Sequence, residues 1–243
     1  MTPTIPYCGL PPAPGALETR WNGDPVLIAV LLMLGVLIFV RSPHASRPRT
    51  MAGWAVAVLA LLSPLCALSV SLFSARVGQH MILLLIAAPL LAAALPVGGA
   101  GRTVWQATAA FFVALWFWHM PVPYEATLTS TPVYWTMHIS LFGTAIWLWR
   151  ELLMHAPRHG FQALLAGTVT SLQMSLLGAV LTLAGHAMFR PHYLTTQVWG
   201  FSPLADQQLG GVLMWVPGSV LFLWVTVRSM RLFAGRLAAP NDA

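Results

Sequence analysis

Seven long apolar stretches constrain the fold of this chain more than any other feature. A helix needs about 20 mostly apolar residues to cross the hydrocarbon core of a bilayer. The stretches cover residues 25–41, 51–72, 79–96, 103–119, 133–150, 162–185 and 208–228. None shows the short alternating pattern of a barrel strand, and a helix satisfies its own backbone in lipid. The sequence therefore predicts an all-α fold, a polytopic membrane helical bundle with seven transmembrane helices.

Composition supports one membrane domain. Of 243 residues, 58% are hydrophobic and 7% are charged, whereas about a quarter are charged in soluble domains. We divide the chain into an extracytoplasmic N-terminal tail (1–24), a seven-helix membrane domain (25–231) and a cytoplasmic tail (232–243). The first twenty residues lack the pattern of a cleavable signal peptide, so the first apolar stretch is expected to act as an uncleaved insertion signal.

The distribution of arginine predicts the orientation in the membrane. Cytoplasmic loops carry an excess of basic residues. One side would hold Arg41, Arg47, Arg49, Arg102, Arg150, Arg158, Arg228, Arg231 and Arg236, and the other Arg20, Arg76 and Arg190. This predicts an N-terminus outside and a C-terminus in the cytoplasm. The net charge of +6 is then explained by helix orientation and lipid headgroups in the bilayer, and nucleic acid is not an expected partner.

Four histidines lie close to helix ends that this topology places on the outer side. They are His80, His119, His138 and His186, with the neighbouring methionines Met81, Met120, Met137 and Met188. Imidazole and thioether suit copper, and thioether favours the cuprous state. Adjacent helical residues point about 100° apart, so we expect a site built mostly of histidines with one methionine in support. Cys66, in the outer half of the second helix, is a further candidate ligand.

Other polar residues of the same layer are candidates for orienting these ligands. Gln79 and Tyr124 could hold an imidazole. Asp206 and Gln207 open the seventh helix, where a cap formed by Ser202 and the helix dipole already account for an acid. They do not account for the glutamines that follow.

Several of these residues also have ordinary explanations, which the sequence leaves open. A histidine at a helix end can simply sit among headgroups, and we expect His192 to be a surface residue. Cys66 can be a small buried side chain or form a disulfide with Cys8. We expect Gln173 and Ser175, in mid-span, to bond to a neighbouring helix.

The motifs resemble those of a known family, the CtaG-type assembly factors of caa3-type cytochrome c oxidase. The resemblance rests on five segments spread from Trp21 to about Arg231. They are Trp21-Asn22-Gly23-Asp24-Pro25, Ser63-Pro64-Leu65, Gln79-His80-Met81, Trp118-His119-Met120-Pro121 with Tyr124, and Ser202 to Gly211 running into Met214-Trp215-Val216-Pro217-Gly218. This family is distinct from the single-span copper chaperone that bears the same label in some bacteria.

The resemblance implies a multi-pass protein of the bacterial plasma membrane that helps to build a haem–copper oxidase, with copper supply as the suspected role. Its partners would be cytochrome c oxidase subunits and a periplasmic copper chaperone. His80, His119, His138 and Asp206 match positions typical of the family. Three positions depart from it: Arg76 replaces a common histidine, Cys66 a common acid and Met137 a common glutamate. These changes remove oxygen and nitrogen ligands and add sulfur, which would either favour cuprous ion or abolish the metal site.

No P-loop, paired catalytic carboxylates, HExxH or GxSxG motif is present, so we do not expect an enzyme. The leading hypothesis is a copper-handling assembly factor that uses Cu(I). The alternatives are a haem-binding electron-transfer protein with two histidine ligands, a copper transporter, and a scaffold that binds no metal.

Overall fold

The computed structural model describes residues 5–92, 103–155 and 160–238, and this part of the chain is helical with no β-strand. The predicted all-α class is confirmed. In chain order the helices are α1 (Pro25–Arg41), α2 (Arg47–Leu62), α3 (Leu65–Ser71), α4 (Phe73–Met81), a π-helical segment (Ile82–Ala87), α5 (Ala88–Ala92), α6 (Val104–Trp118), α7 (Pro121–Thr129), α8 (Thr131–His155), α9 (Gly160–Leu183) and α10 (Pro203–Ala238). Short 3₁₀ turns occupy Pro14–Thr19, Arg190–His192 and Gln197–Trp199.

Several of these helices are long and apolar enough to cross a membrane. Within the described residues three meet this requirement, Phe73–Ala92, Gly160–Leu183 and Pro203–Arg228, and a fourth does if α2 and α3 form one bent span. Pro25–Arg41 and Val104–Trp118 are shorter apolar helices. The chain is therefore a helical membrane protein. The count of seven spans and their orientation stay predictions, and Arg102 and Arg158, which contribute to the predicted orientation, lie outside the described residues.

The predicted second span is broken near its C-terminal end. The helix axis bends by 48° between α2 and α3, at Ser63 and Pro64. Proline has no backbone N–H, so the carbonyl of Ala60, four residues earlier, loses its helical partner. The side chain of Gln79 donates to this carbonyl at 2.7 Å. Gln79 Nε2 therefore repairs the break. Its Oε1 has no hydrogen-bond partner among the described residues, and its role in orienting an imidazole stays a prediction.

The third span begins six residues earlier than hydropathy indicated, at Phe73 instead of residue 79. Arg76, assigned to an outer loop by the sequence, consequently lies inside a helix and is 1% exposed. His80 lies two turns inside the helix and two residues before the π-helical segment. In that segment Ala88 N–H bonds to Leu83, and Pro89 has no N–H to offer. The carbonyl of Leu84 is left free and accepts from the indole of Trp149 at 2.7 Å.

Helices α9 and α10 approach each other closely at two facing glycines. A Cβ added to Gly211 would lie 2.7 Å from the carbonyl oxygen of Gly178, and one added to Gly178 would lie 2.9 Å from that of Gly211. Small residues allow helix backbones to approach in membranes, where packing rather than the hydrophobic effect drives association. This contact fixes α10 against α9 and so places the residues at the start of α10.

The N-terminal tail packs across the helix ends. Tyr7 stacks on Tyr134 of α8 with ring centroids 4.8 Å apart, and Cys8 forms a disulfide with Cys66 of α3. Asn22 N–H donates to the Leu62 carbonyl at 2.8 Å. One end of the bundle is therefore a layer, called the tail-side layer below, that contains residues 5–24, the α2–α3 break and the start of α8.

We expect Gly211→Ala to destabilise the protein by about 1–3 kcal/mol, the usual cost of overpacking, because the new methyl group meets backbone atoms of α9. Gly143→Ala is the matched control, since a Cβ at Gly143 meets nothing within 4 Å. Denaturation in detergent micelles measures both variants. Equal stability of Gly211→Ala and wild type would contradict the close contact.

Candidate functional site

Three histidines from three separate helical segments meet inside the tail-side layer. The ring centroid of His80 lies 5.6 Å from that of His119 and 5.4 Å from that of His138. They are 2%, 3% and 5% exposed, respectively. His119 follows the last residue of α6, and His138 lies two turns into α8. The structure thus brings together three of the four histidines that the sequence selected.

The hydrogen bonds of two rings leave one nitrogen of each free. The Nδ1 of His119 lies 2.7 Å from the Leu115 carbonyl oxygen, and that of His138 lies 3.1 Å from the Tyr134 carbonyl oxygen. A carbonyl only accepts, so each Nδ1 carries a proton, and in the neutral imidazole each Nε2 then carries a lone pair. Both Nε2 atoms are buried and have no hydrogen-bond partner. A backbone bond to the other nitrogen is also how metal-binding imidazoles are held.

His80 lies between the other two rings and is held differently. Neither of its ring nitrogens has a hydrogen-bond partner. Two imidazoles that share an ion through bonds of about 2 Å have ring centroids roughly 5–6 Å apart, and the measured separations fall in that interval. However, across the described ranges no three His, Cys, Asp or Glu side chains are arranged to hold a metal ion. The rings are neighbours that do not form a closed three-ligand group.

The remaining predicted ligands lie outside this histidine cluster or on its margin. His186 follows the end of α9 and is exposed, and Met120 is 50% exposed. Met81 and Met137 are buried in the core beside His80 and His138. Cys66 is bonded to Cys8, so in this oxidised form its sulfur is not a thiolate ligand.

Arg76 places a buried positive charge one helical turn before His80. Its guanidinium donates to the Thr127 hydroxyl at 2.6 Å and lies 5.2 and 5.8 Å from the ring centroids of Tyr124 and Tyr134. No carboxylate of the described chain forms an ion pair with it, so the aromatic faces and one hydroxyl provide its surroundings. The sequence had assigned Arg76 to a loop, although its spacing of four residues from His80 predicts the same helical face.

Asp206 caps the helix that carries His80. Its carboxylate accepts hydrogen bonds from Phe73 N–H at 2.7 Å, Ser74 N–H at 3.1 Å and Ser74 Oγ at 2.5 Å. The first N–H groups of a helix have no partner within that helix, and a carboxylate there also meets the positive end of the dipole. Ser202 caps its own helix as predicted, by accepting from Ala205 N–H at 3.1 Å. Asp206 therefore positions α4 and does not contact an imidazole of the cluster.

Gln207 has a similar joining role. Its amide donates to the Leu181 carbonyl in the last turns of α9 at 3.2 Å and accepts from Met188 N–H at 2.7 Å. The glutamine that the sequence left unexplained thus ties the end of α9 to the loop that follows it.

Tyr124 orients a histidine that the sequence had assigned to the surface. His192 is 1% exposed; its Nε2 lies 2.6 Å from the Tyr124 hydroxyl and its Nδ1 lies 3.2 Å from the Ser71 carbonyl oxygen. The surface assignment was wrong because the loop at 186–202 folds back onto the helix ends. Burial lowers the pKa of His192 to about 3, and the charge of Arg76 adds to this effect.

Fold and site together define a helical membrane protein with a buried cluster of three histidines near one end of its bundle. The model of the cytochrome c oxidase caa3 assembly factor family (Caa3_CtaG) matches residues 30–106 and 102–234. The chain therefore belongs to this family, as its motifs had indicated. Comparisons with curated proteins and with solved structures gave no match.

We expect Asp206→Ala to lower the free energy of unfolding by about 1–3 kcal/mol, because the buried N–H groups of Phe73 and Ser74 lose their acceptor. Glu125→Ala is the control, since that acid is exposed on α7. Denaturation in micelles compares the two. If both variants matched wild type, Asp206 would not be the cap that holds α4.

His192 should make stability depend on pH. Its pKa is lower in the folded than in the unfolded state, where it is about 6.5, so the unfolded chain takes up the proton first. As pH falls from about 6.5 towards 3, the wild type should lose up to about 1.4 kcal/mol per unit from this residue. Its advantage over His192→Gln should therefore shrink between pH 7 and pH 5. A constant difference would contradict the buried neutral state.

Proposed function

We propose that this chain is a non-enzymatic assembly factor that binds a cuprous ion at the histidine cluster and hands it to a nascent haem–copper cytochrome c oxidase. Family membership supports oxidase assembly. The copper role rests on one observation: three neighbouring imidazoles leave buried nitrogen atoms without hydrogen-bond partners. A buried polar atom without a hydrogen bond is costly, and a bound metal ion would satisfy these nitrogens.

The surroundings favour a monovalent ion over a divalent one. Arg76 already places a positive charge one turn from His80, and the described carboxylates form no ion pair with it. A second charge in the same layer is opposed by Coulomb repulsion, which is smaller for Cu⁺ than for Cu²⁺. The buried thioethers of Met81 and Met137 next to the rings are soft donors that also favour the cuprous state.

A site with a small number of ligands suits a protein that must release its copper ion. Because the rings as they stand do not form a three-donor group, binding requires the imidazoles to turn about their side-chain torsions. Two nitrogens, from His119 and His138, are already fixed in the tautomer that ligation needs, and His80 lies between them. Copper held by two or three neutral imidazoles can be passed on by ligand substitution. Cytochrome c oxidase subunits would receive it, and a periplasmic copper chaperone would deliver it.

Competition for Cu(I) against bicinchoninate in micelles tests the proposal. We expect His119→Ala and His80→Ala to lose copper affinity by more than about 100-fold, since even residues that only orient a ligand contribute 10- to 100-fold. His186→Ala is the matched control, because His186 is an exposed histidine outside the cluster. Equal and negligible copper in all four proteins, with full oxidase activity in cells that carry the variants, would overturn the copper role.

Haem binding is a second candidate, and the position of His138 favours it. An apolar cavity of about 920 Å³ extends along α1, α2 and α8, and both His138 and Arg41 line it. An imidazole and a cation for carboxylate groups are features that a haem site uses. The visible absorption spectrum of protein purified from haem-replete cells distinguishes the two candidates: a strong Soret band lost in His138→Ala would favour haem.

Transport of copper through the bundle has less support. The polar side chains at mid-span bond to neighbouring helices: Trp116 donates to Gln173 at 3.0 Å, and the hydroxyls of Ser175 and Ser219 lie 2.7 Å apart. They join helices, as the sequence predicted. Uptake of copper into vesicles that contain the protein would contradict this view.

A further inference from the structure

The disulfide between Cys8 and Cys66 lies beside the histidine cluster and is surrounded by hydrogen-bond donors. The Tyr134 hydroxyl lies 3.4 Å from Cys8 Sγ and 3.7 Å from Cys66 Sγ, and the Asn22 amide donates to Cys66 Sγ at 3.7 Å. A disulfide sulfur is a poor acceptor and gains little from two donors. A thiolate gains more, because a hydrogen bond to a charged group favours the charged form.

Tyr134 connects this sulfur pair to the cluster. Its hydroxyl lies against the two sulfurs, its ring lies 4.3 Å from that of His138 between centroids, and its carbonyl holds His138 Nδ1. One residue therefore contacts both groups. The sulfur pair and the histidine cluster are thus linked through the single side chain of Tyr134.

The tail has enough other anchors to stay in place when the disulfide opens. The Tyr7 hydroxyl donates to Asp24 at 2.5 Å, its ring stacks on Tyr134, and Asn22 N–H bonds to the Leu62 carbonyl. Cys66 is 1% exposed on the fixed start of α3, whereas Cys8 is partly exposed in the tail. Their Cα atoms are 5.5 Å apart, so small movements of Cys8 can separate the sulfurs and keep them paired around an ion.

We propose that the reduced Cys8–Cys66 pair is a second cuprous-ion site, two-coordinate through sulfur, that accepts copper before it reaches the histidine cluster. This inference rests on the proposed copper function and adds a donor site to it. Thiolates select Cu(I), and a linear two-sulfur site has open directions from which an imidazole can take the ion.

A dithiol reductant can open the disulfide between Cys8 and Cys66. The reductant's thiolate attacks one sulfur of the disulfide and forms a mixed disulfide, and the second thiol of the reductant then attacks this mixed disulfide. In total, two electrons and two protons convert the Cys8–Cys66 disulfide into two thiols, and the reductant becomes a disulfide. Cu⁺ then binds both sulfurs as each thiol releases its proton. Copper stays in the +1 state throughout.

The test compares oxidised and reduced wild type in micelles without oxygen, after removal of the reductant, by Cu(I) titration against bicinchoninate. We expect the reduced protein to retain one more Cu(I) per chain than the oxidised protein. Reduced Cys8→Ser should lose this extra ion, and X-ray absorption should show more copper–sulfur scattering in the reduced wild type than in the variant. Reduced wild type alkylated at its thiols provides the same comparison if Cys8→Ser does not fold.

Histidine variants separate this inference from the proposed function. Reduced His80→Ala/His119→Ala should keep the sulfur-bound ion and lose the other, and oxidised wild type should do the reverse. Equal copper in oxidised and reduced wild type, or full retention in reduced Cys8→Ser or in the alkylated protein, overturns the dithiol site whatever the histidine variants show. Loss of the extra ion on alkylation, with no effect of the histidine substitutions in either redox state, would uphold the dithiol site and overturn the histidine cluster.

Discussion

The carboxylate of Asp206 is the contact on which the position of His80 depends. It spans from the first turn of α10 to the first N–H groups of α4, and so it fixes where the helix that carries Arg76, Gln79 and His80 begins. A shift of one residue at this start would rotate each of those side chains by about 100°. α10 is itself positioned by its glycine contact with α9. The placement of the central imidazole is therefore set from outside its own helix.

The helical irregularities around His80 have a common physical cause. Pro64 and Pro89 each lack a backbone N–H, and the orphaned carbonyls of Ala60 and Leu84 accept from side chains of other helices. An unpaired carbonyl in a membrane interior is costly, so these donors turn two weak points into cross-links. One of these bonds is made by Gln79, directly before His80, and the other is accepted by Leu84, four residues after it. The backbone on either side of His80 is therefore fixed, while neither nitrogen of its ring has a hydrogen-bond partner.

The sequence predicted the class of the fold and the three central histidines because both depend on patterns local to each helix. Apolar stretches of sufficient length indicate spanning helices, and their ends show which histidines share a layer. It failed where the partner lies far along the chain. Ser71, Ser74 and Arg76 made the start of the third span look like a loop, because the distant Asp206 and Thr127 that satisfy this polar turn are not visible in hydropathy. His192 was misplaced for the same reason, since its partners are Ser71 and Tyr124. Gln79 and Gln207 were selected because they are polar residues in an apolar chain, but the carbonyl groups to which they bond could be identified only from the packing of the helices.

Whether the disulfide between Cys8 and Cys66 forms depends on the redox state of the compartment that this end of the bundle faces. Disulfides persist in the bacterial periplasm and are reduced in the cytosol. The tail precedes α1 and the start of α3 follows α2, so both lie at the open end of the hairpin formed by the first two helices. This bond can therefore close only after both helices have been inserted. Its oxidation in a living cell would thus act as a built-in reporter of which face of the membrane the histidine-bearing end occupies.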